Sequence, residues 1–198
     1  MPTARSGLLR VLSLAGPPAM IGIASALHPS FTTDAAISAT RITQSPAWLG
    51  AHLLLLVGVV AFDVSLLSWP ARPGRLGGLG VMLNLATYPV FLGIDGFAAW
   101  IAAHSGSGAT TAVVVQALFA SPLAASFGWI GAAGWVIAAL SFMAESISQR
   151  RGLISAPLPL LIGVVWLGVS HAPPIGIVGA AFATAGCLWE GLREVSDR

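Results

Sequence analysis

Long apolar stretches alternate with short polar connections along this chain. Each apolar stretch is close to twenty residues, which is the length that an α-helix needs to cross a hydrocarbon core roughly 30 Å thick. Charged and turn-forming residues bound these stretches and predict six spanning helices, at about 9–28, 48–69, 77–101, 124–147, 153–171 and 174–192. The pattern therefore predicts an all-α integral membrane protein, a bundle of about six transmembrane helices within one domain that covers 1–198.

The stretch 105–123 differs from the six predicted spans. It opens with a Ser-Gly-Ser-Gly sequence and then has about eleven apolar residues before Pro122. This is too short to cross a bilayer, so we expect an extra helix or loop that lies at the outer interface or dips back against protein.

The composition indicates that lipid is the main solvent. Hydrophobic residues make up 56% of the chain and charged residues only 8%, whereas a soluble protein is about one quarter charged. The net charge is only +2 and the basic residues are scattered, so nucleic-acid binding is not expected. All nine basic residues are arginines, and the absence of lysine excludes a Schiff-base lysine and hence a retinal pump or a pyridoxal enzyme.

The arginines predict the orientation in the membrane, because basic residues near helix ends stay on the cytoplasmic side. Only Arg41 falls on the outer side of the six-helix arrangement; eight fall on the other, namely Arg5, Arg10, Arg72, Arg75, Arg150, Arg151, Arg193 and Arg198. We therefore expect an even number of spans in a multi-pass protein of the cell membrane, with both termini cytoplasmic. The first apolar stretch continues to Leu27 without a convincing cleavage site, so it is interpreted as a retained helix.

All four histidines fall on the outer side of this topology: His28, His52, His104 and His171. Imidazole is the commonest transition-metal ligand and titrates near neutral pH, so several at one depth could hold a metal ion or a haem, or sense pH. The plainer alternative is that histidine is tolerated wherever a helix ends near water.

Polar residues on the second and third predicted helices share depths. The two helices are antiparallel and joined by a short connection, so counting outward at about 1.5 Å per residue pairs Asp63 with Asn84 and His52 with Asp95. The two residues on each helix are eleven apart, almost a whole number of turns, and Tyr88 falls near the same stripe of the third helix. The two polar stripes are therefore expected to meet.

Three hypotheses for function follow. The leading one is a metal-ion or haem site on the outer side, centred on His52 with Asp95 and supplemented by some of His28, His104 and His171. In such a site Asp95 could orient the imidazole of His52. It could equally form a proton-relay pair with His52, or simply fix the register of the two helices. The second is a small proton-coupled transporter that uses Asp63 and Asp95, because ionisable groups at membrane depth are usually functional. The third is a structural or interaction subunit of the membrane without an active site of its own. Besides the lipid bilayer, a second copy or another membrane protein could be its partner. No sequence motif assigns a nucleophile and base, so the sequence leaves open whether the protein is an enzyme.

Overall fold

The computed structural model describes residues 4–30, 34–69, 74–106, 109–149 and 156–196, and every regular element within them is helical. We number the α-helices α1 (Ala4–Leu27), α2 (Ala35–Gln44), α3 (Trp48–Leu67), α4 (Gly74–Leu92), α5 (Ala99–Ser105), α6 (Ala109–Phe119), α7 (Pro122–Ser148), α8 (Pro157–Val169) and α9 (Ile175–Ser196). A π-helix, Gly93–Ala98, joins α4 to α5 and is called the π segment below.

Five helical stretches are long and apolar enough to cross a membrane: Gly7–Leu27, Trp48–Leu67, Gly74–Ser105, Ala109–Ser148 and Ile175–Arg193. The predicted span 153–171 is shorter than expected, because its described helix, Pro157–Val169, has 13 residues. At 1.5 Å per residue that helix is only about 20 Å long. The structure thus confirms that the regular elements of the described residues are all helical and include apolar helices of membrane length. It does not confirm a sixth span, and residues 153–155 of the span predicted there lie outside the described residues.

The long helices pack in two groups, which α8 and a direct contact of α3 with α4 connect. α1 lies against α3 and α9, α4 lies against α7, and α8 contacts both α7 and α9. α4 and α7 approach closely at Gly80 and Gly134, where a Cβ on either glycine would lie 2.4–2.5 Å from the other glycine's carbonyl oxygen. Small residues permit such backbone contact, which favours helix association in lipid.

A smaller set of helices covers one end of the bundle. α6 packs on α2 and α5, and these helices enclose a second apolar cluster with the first residue of α3, Trp48. The stretch 105–123 therefore contains the short helix α6, followed at Pro122 by α7. Ser121 caps the N-terminus of α7, since its hydroxyl accepts from the backbone N–H of Ala124 and Pro122 occupies the first turn. Whether α6 lies at a membrane interface stays a prediction.

The π segment changes the direction in which the following residues face. Its hydrogen bonds run from residue i to i+5, so one more residue fits into the turn than in an α-helix. Asp95 and Gly96 are buried within this segment. The sequence pattern of 77–101 predicts an unbroken α-helix, and the insertion is the main local departure from it.

Candidate metal centre

Four buried side chains converge at the end of the bundle that α2, α5 and α6 cover: His28, His52, Asp95 and His171. One nitrogen or oxygen donor from each lies within 4.8 Å of the donors of the other three. The four residues come from different parts of the fold, namely the position after α1, the second turn of α3, the π segment, and the connection between α8 and α9. We call this set the His–Asp centre.

The backbone fixes the tautomer of His52. Its Nδ1 lies 3.0 Å from the carbonyl oxygen of Trp48, one turn earlier in α3. A carbonyl oxygen only accepts, so Nδ1 carries the proton and, in a neutral ring, Nε2 carries a lone pair. That Nε2 lies 3.4 Å from Oδ2 of Asp95. An ionised carboxylate also only accepts, so the two lone pairs repel unless a cation, either a proton or a metal ion, sits with them.

His28 is held in a similar way. Its Nδ1 lies 2.7 Å from the carbonyl oxygen of Pro29, which makes Nδ1 the donor and Nε2 the nitrogen able to bind a cation. The ring packs against Trp48 and His52, with centroid separations of 4.9 and 4.8 Å. Its orientation is therefore set both by the backbone and by its ring neighbours.

Asp95 faces two imidazoles with the same oxygen. His171 Nε2 lies 3.0 Å from Oδ2, although the two groups are not aligned as a hydrogen bond. A carboxylate in a buried position is costly unless a positive charge compensates it. The centre thus has one formal negative charge, three imidazoles, and no arginine among its four members.

The spacing of these atoms is close to that of metal ligands. Donors about 2.1 Å from an ion are about 3.4 Å apart in a tetrahedron and about 3.0 Å apart at the edge of an octahedron. The contacts of Asp95 with His52 and His171, at 3.4 and 3.0 Å, match these values. The widest separation, 4.8 Å, exceeds them, so side-chain rotation would have to draw in the more distant donors.

Two glycines permit the close packing around the centre. A Cβ on Gly96 would lie 2.4 Å from ring atoms of His52. A Cβ on Gly176, at the start of α9, would lie 2.1 Å from the carbonyl oxygen of His171. The indole N–H of Trp48 also donates to the Gly96 carbonyl at 2.8 Å and ties α3 to the π segment. The sequence analysis did not identify Trp48, Gly96 or Gly176 as part of the site; only the four-residue spacing of Trp48 and His52 indicated that these two are neighbours.

The structure brings together most of the predicted ligands, but it does not bring His104 to them. His104 lies exposed at the end of α5, where its ring stacks on Trp100 and its Nδ1 contacts the Trp100 carbonyl. In an unbroken α-helix, the nine residues from Asp95 to His104 span two and a half turns, which would put the two side chains on opposite faces. That spacing is a signal that the sequence did contain.

Asp63 and Asn84, which the residue count places at one depth, do not hydrogen-bond to each other in the structure, and both contact α7. Asp63 Oδ1 instead accepts from the indole N–H of Trp135 in α7 at 2.7 Å. The side-chain amide of Asn84 donates to the Gly131 carbonyl, also in α7, at 2.9 Å. Both residues are fully buried. Tyr88 is buried as well, and its hydroxyl donates to the Leu167 carbonyl at 3.2 Å.

Comparisons of this chain with protein-family models, with curated proteins and with solved structures found no match.

Proposed function

We propose that this chain is a membrane protein that binds one divalent transition-metal ion at the His–Asp centre. The observation that carries the proposal is the contact of His52 Nε2 with Asp95 Oδ2, since the Trp48 carbonyl commits the other ring nitrogen to donating. Two acceptors that face each other in a buried site require a cation between or beside them.

A metal ion fits this centre better than a proton does. One proton would relieve the repulsion between Asp95 and a single imidazole nitrogen. A metal ion could bind all four donor atoms that converge there, from three imidazoles and one carboxylate. His28 and His52 each direct Nδ1 at a backbone carbonyl, which is the usual way that proteins orient metal-binding imidazoles. The same geometry favours Asp95 as a direct ligand of the ion. If Asp95 only oriented the His52 ring by accepting a hydrogen bond from Nε2, the ion would have to bind Nδ1, which already donates to the Trp48 carbonyl.

A single ion also fits better than a haem. The His28 ring lies 4.8 Å from that of His52 and 5.1 Å from that of His171, centroid to centroid. Axial haem ligands lie above and below a flat macrocycle. Imidazole rings packed this closely leave no space for a macrocycle between them. Imidazole and carboxylate donors suit Zn²⁺, Cu²⁺, Ni²⁺ or Fe²⁺.

The proposal includes a topology. We expect six spans, with α8 as the shortest, both termini in the cytoplasm, and α6 near the outer interface. This arrangement would put the His–Asp centre on the outer side of the cell membrane, so the protein would take up, hold or use a metal ion from that side.

Metal content tests the proposal. The purified chain, loaded with Zn²⁺ and dialysed against a weak chelator, should retain about one ion per chain. His52→Ala and Asp95→Asn should each lower the affinity for Zn²⁺ by at least tenfold, the order of loss known for groups around metal sites. His104→Ala is the matched control, because it removes an outer-side imidazole that lies apart from the centre, and it should retain wild-type affinity. Wild-type protein that retains no metal, or an unchanged affinity in His52→Ala, would refute the proposal.

A second candidate function, proton-coupled transport, has one observation in its favour. Asp63 is fully buried, and its Oδ2 has no hydrogen-bond partner. Intramembrane carboxyl groups of this kind often carry protons along a transport path. The candidate predicts altered flux for Asp63→Asn and Asp95→Asn in reconstituted vesicles, and equal flux in the two variants and the wild type would count against it.

A further inference from the structure

A cavity of about 390 Å³ opens beside the His–Asp centre. Asp95 and His171 are among the residues that line it, whereas His28 and His52 are not. The cavity therefore reaches the centre at Asp95 and His171. Its volume lies within the range of roughly 300–1,000 Å³ that is typical of small-molecule sites.

The walls of the cavity are mostly aromatic and aliphatic. Tyr88, Phe91, Phe119 and Trp129 supply four aromatic side chains, from α4, α6 and α7. The hydroxyl of Tyr88 is already engaged by the Leu167 carbonyl. Asp95 is the acidic residue and His171 the imidazole among the described lining residues, to which Tyr88 and Ser170 add hydroxyl groups. The strongest polar groups of the cavity therefore lie at its contact with the centre. Apolar walls with a few polar groups at one end favour a ligand of the same polarity pattern.

We infer that this cavity binds a small molecule with an aromatic body and one anionic oxygen head group, such as a phenolate, carboxylate or hydroxamate, that coordinates the ion on the side of Asp95 and His171. The inference rests on the proposed metal site and names the ligand class for it. A metal ion supplies the positive charge that the cavity walls lack, and four aromatic walls provide the stacking and edge contacts that an aromatic ring prefers. A phosphate ester is not favoured, because the described residues that line the cavity include no arginine.

Three probes separate the contributions of head and body. 2-Naphthohydroxamate carries both, acetohydroxamate carries only the metal-binding head, and 2-naphthamide carries the aromatic body without the chelating group. In detergent-solubilised protein loaded with Co²⁺, whose visible bands respond to a change of ligand, 2-naphthohydroxamate should bind at least tenfold more tightly than acetohydroxamate. 2-Naphthamide, which partitions into detergent much as the hydroxamate does, should leave the bands unchanged.

Two variants of α7 locate the binding. Ala125 is exposed and lines the cavity, so Ala125→Trp should fill part of the cavity without removing a core contact. Leu123 is 64% exposed and is not a lining residue, so Leu123→Trp is a control for a new indole on the same helix. Ala125→Trp should weaken 2-naphthohydroxamate at least tenfold and leave Co²⁺ content and acetohydroxamate affinity unchanged. Leu123→Trp should change none of these.

The metal content, measured before any probe is added, distinguishes the two possible failures. Wild-type protein that holds no ion refutes the proposed function and the ligand class with it. Protein that holds the ion but binds both hydroxamates equally, or binds 2-naphthohydroxamate equally in Ala125→Trp and wild type, refutes the inference about the cavity alone. A spectral response to 2-naphthamide equal to that of the hydroxamate also refutes it, since the head group would then be irrelevant.

Discussion

Gly96 packs directly against the ring of His52, so adding even one methyl group at this position should disturb the His–Asp centre. A Cβ there would lie 2.4 Å from the Cδ2 and Cγ atoms of His52, well inside van der Waals contact. His52 cannot move away freely, because its Nδ1 is bound to the Trp48 carbonyl and its ring centroid lies 4.5 Å from that of Trp48. Ala in place of Gly96 must therefore displace either His52 or the π segment that carries Asp95.

We predict that Gly96→Ala lowers the affinity for Zn²⁺ by about ten- to one-hundredfold, the range seen when groups that support metal ligands are changed. Competition with a chelator of known affinity measures the loss. Gly93→Ala is the matched control: it lies in the same π segment, and a Cβ there would meet nothing within 4 Å. Wild-type affinity in Gly96→Ala, or an equal loss in Gly93→Ala, would contradict the role assigned to this contact.

At the scale of helices, counting residues predicted the contact of α3 with the π segment. His52 and Asp95 are equally far from the connection between the second and third predicted helices, and helical rise is nearly constant, so equal counts give equal depths. The side chains meet as expected, with Nε2 and Oδ2 3.4 Å apart. Depth could therefore be predicted from the sequence for this pair.

Facing could not be predicted in the same way for Asn84. The argument that Asn84 and Asp95 face alike assumes 3.6 residues per turn throughout, and the π segment interrupts that period before Asp95. Asn84 accordingly faces α7 while Asp95 faces α3. Likewise, the position of His171 depends on how the α8–α9 connection packs against distant parts of the chain, since its ring lies 5.1 Å from that of His28 and 5.9 Å from that of Phe91, centroid to centroid. No local sequence pattern encodes such long-range contacts.

Asp63 links α3 to α7 through Trp135, and its substitution tests this link. Asp63→Leu leaves the indole N–H of Trp135 without an acceptor in an apolar interior, so we expect a loss of about 1 kcal/mol in unfolding free energy, as is usual for polar contacts between membrane helices. Asp63→Asn keeps an acceptor oxygen and should stay within a few tenths of a kcal/mol of wild type. Unfolding in mixed micelles measures both.

The metal content of the same two variants separates this structural role from the His–Asp centre. Asp63 belongs to the contact with Trp135 and not to the four-residue group, so both variants should hold as much Zn²⁺ as the wild type. A stable Asp63→Leu variant would show that the contact with Trp135 contributes little to folding. Loss of Zn²⁺ in a variant that still folds would show that Asp63 also contributes to metal binding at the His–Asp centre.

At the scale of the whole molecule, α8 decides the number of crossings. α7 has 27 residues, about 40 Å, and α9 has 22 residues, about 33 Å, so either can cross a bilayer. α8 has only 13 described helical residues and lies between them. If α8 crosses as well, the C-terminal ends of α7 and α9 lie on the same side of the membrane. If it does not, these two ends lie on opposite sides.

Cysteine labelling distinguishes the two arrangements. In a Cys187→Ala background, which removes the single native thiol, exposed positions near helix ends can be replaced one at a time: Ala120→Cys, Gln149→Cys and Ser196→Cys. Six crossings with cytoplasmic termini predict that a membrane-impermeant maleimide labels Ala120→Cys in intact cells, and labels the other two only after permeabilisation. Labelling of Gln149→Cys and Ser196→Cys from opposite sides would mean that α8 does not cross.

The same labelling places the His–Asp centre, because Ala120 lies between Phe119 and Ala124, which line the cavity together with Asp95 and His171. The side from which Ala120→Cys reacts is therefore the side that the centre is nearest. Outer labelling would agree with the arginine pattern and would allow the centre to take its ion from outside the cell. Labelling only from the cytoplasm would reverse the orientation, and the ion would then have to come from the cytoplasmic pool even if the metal site itself is correct.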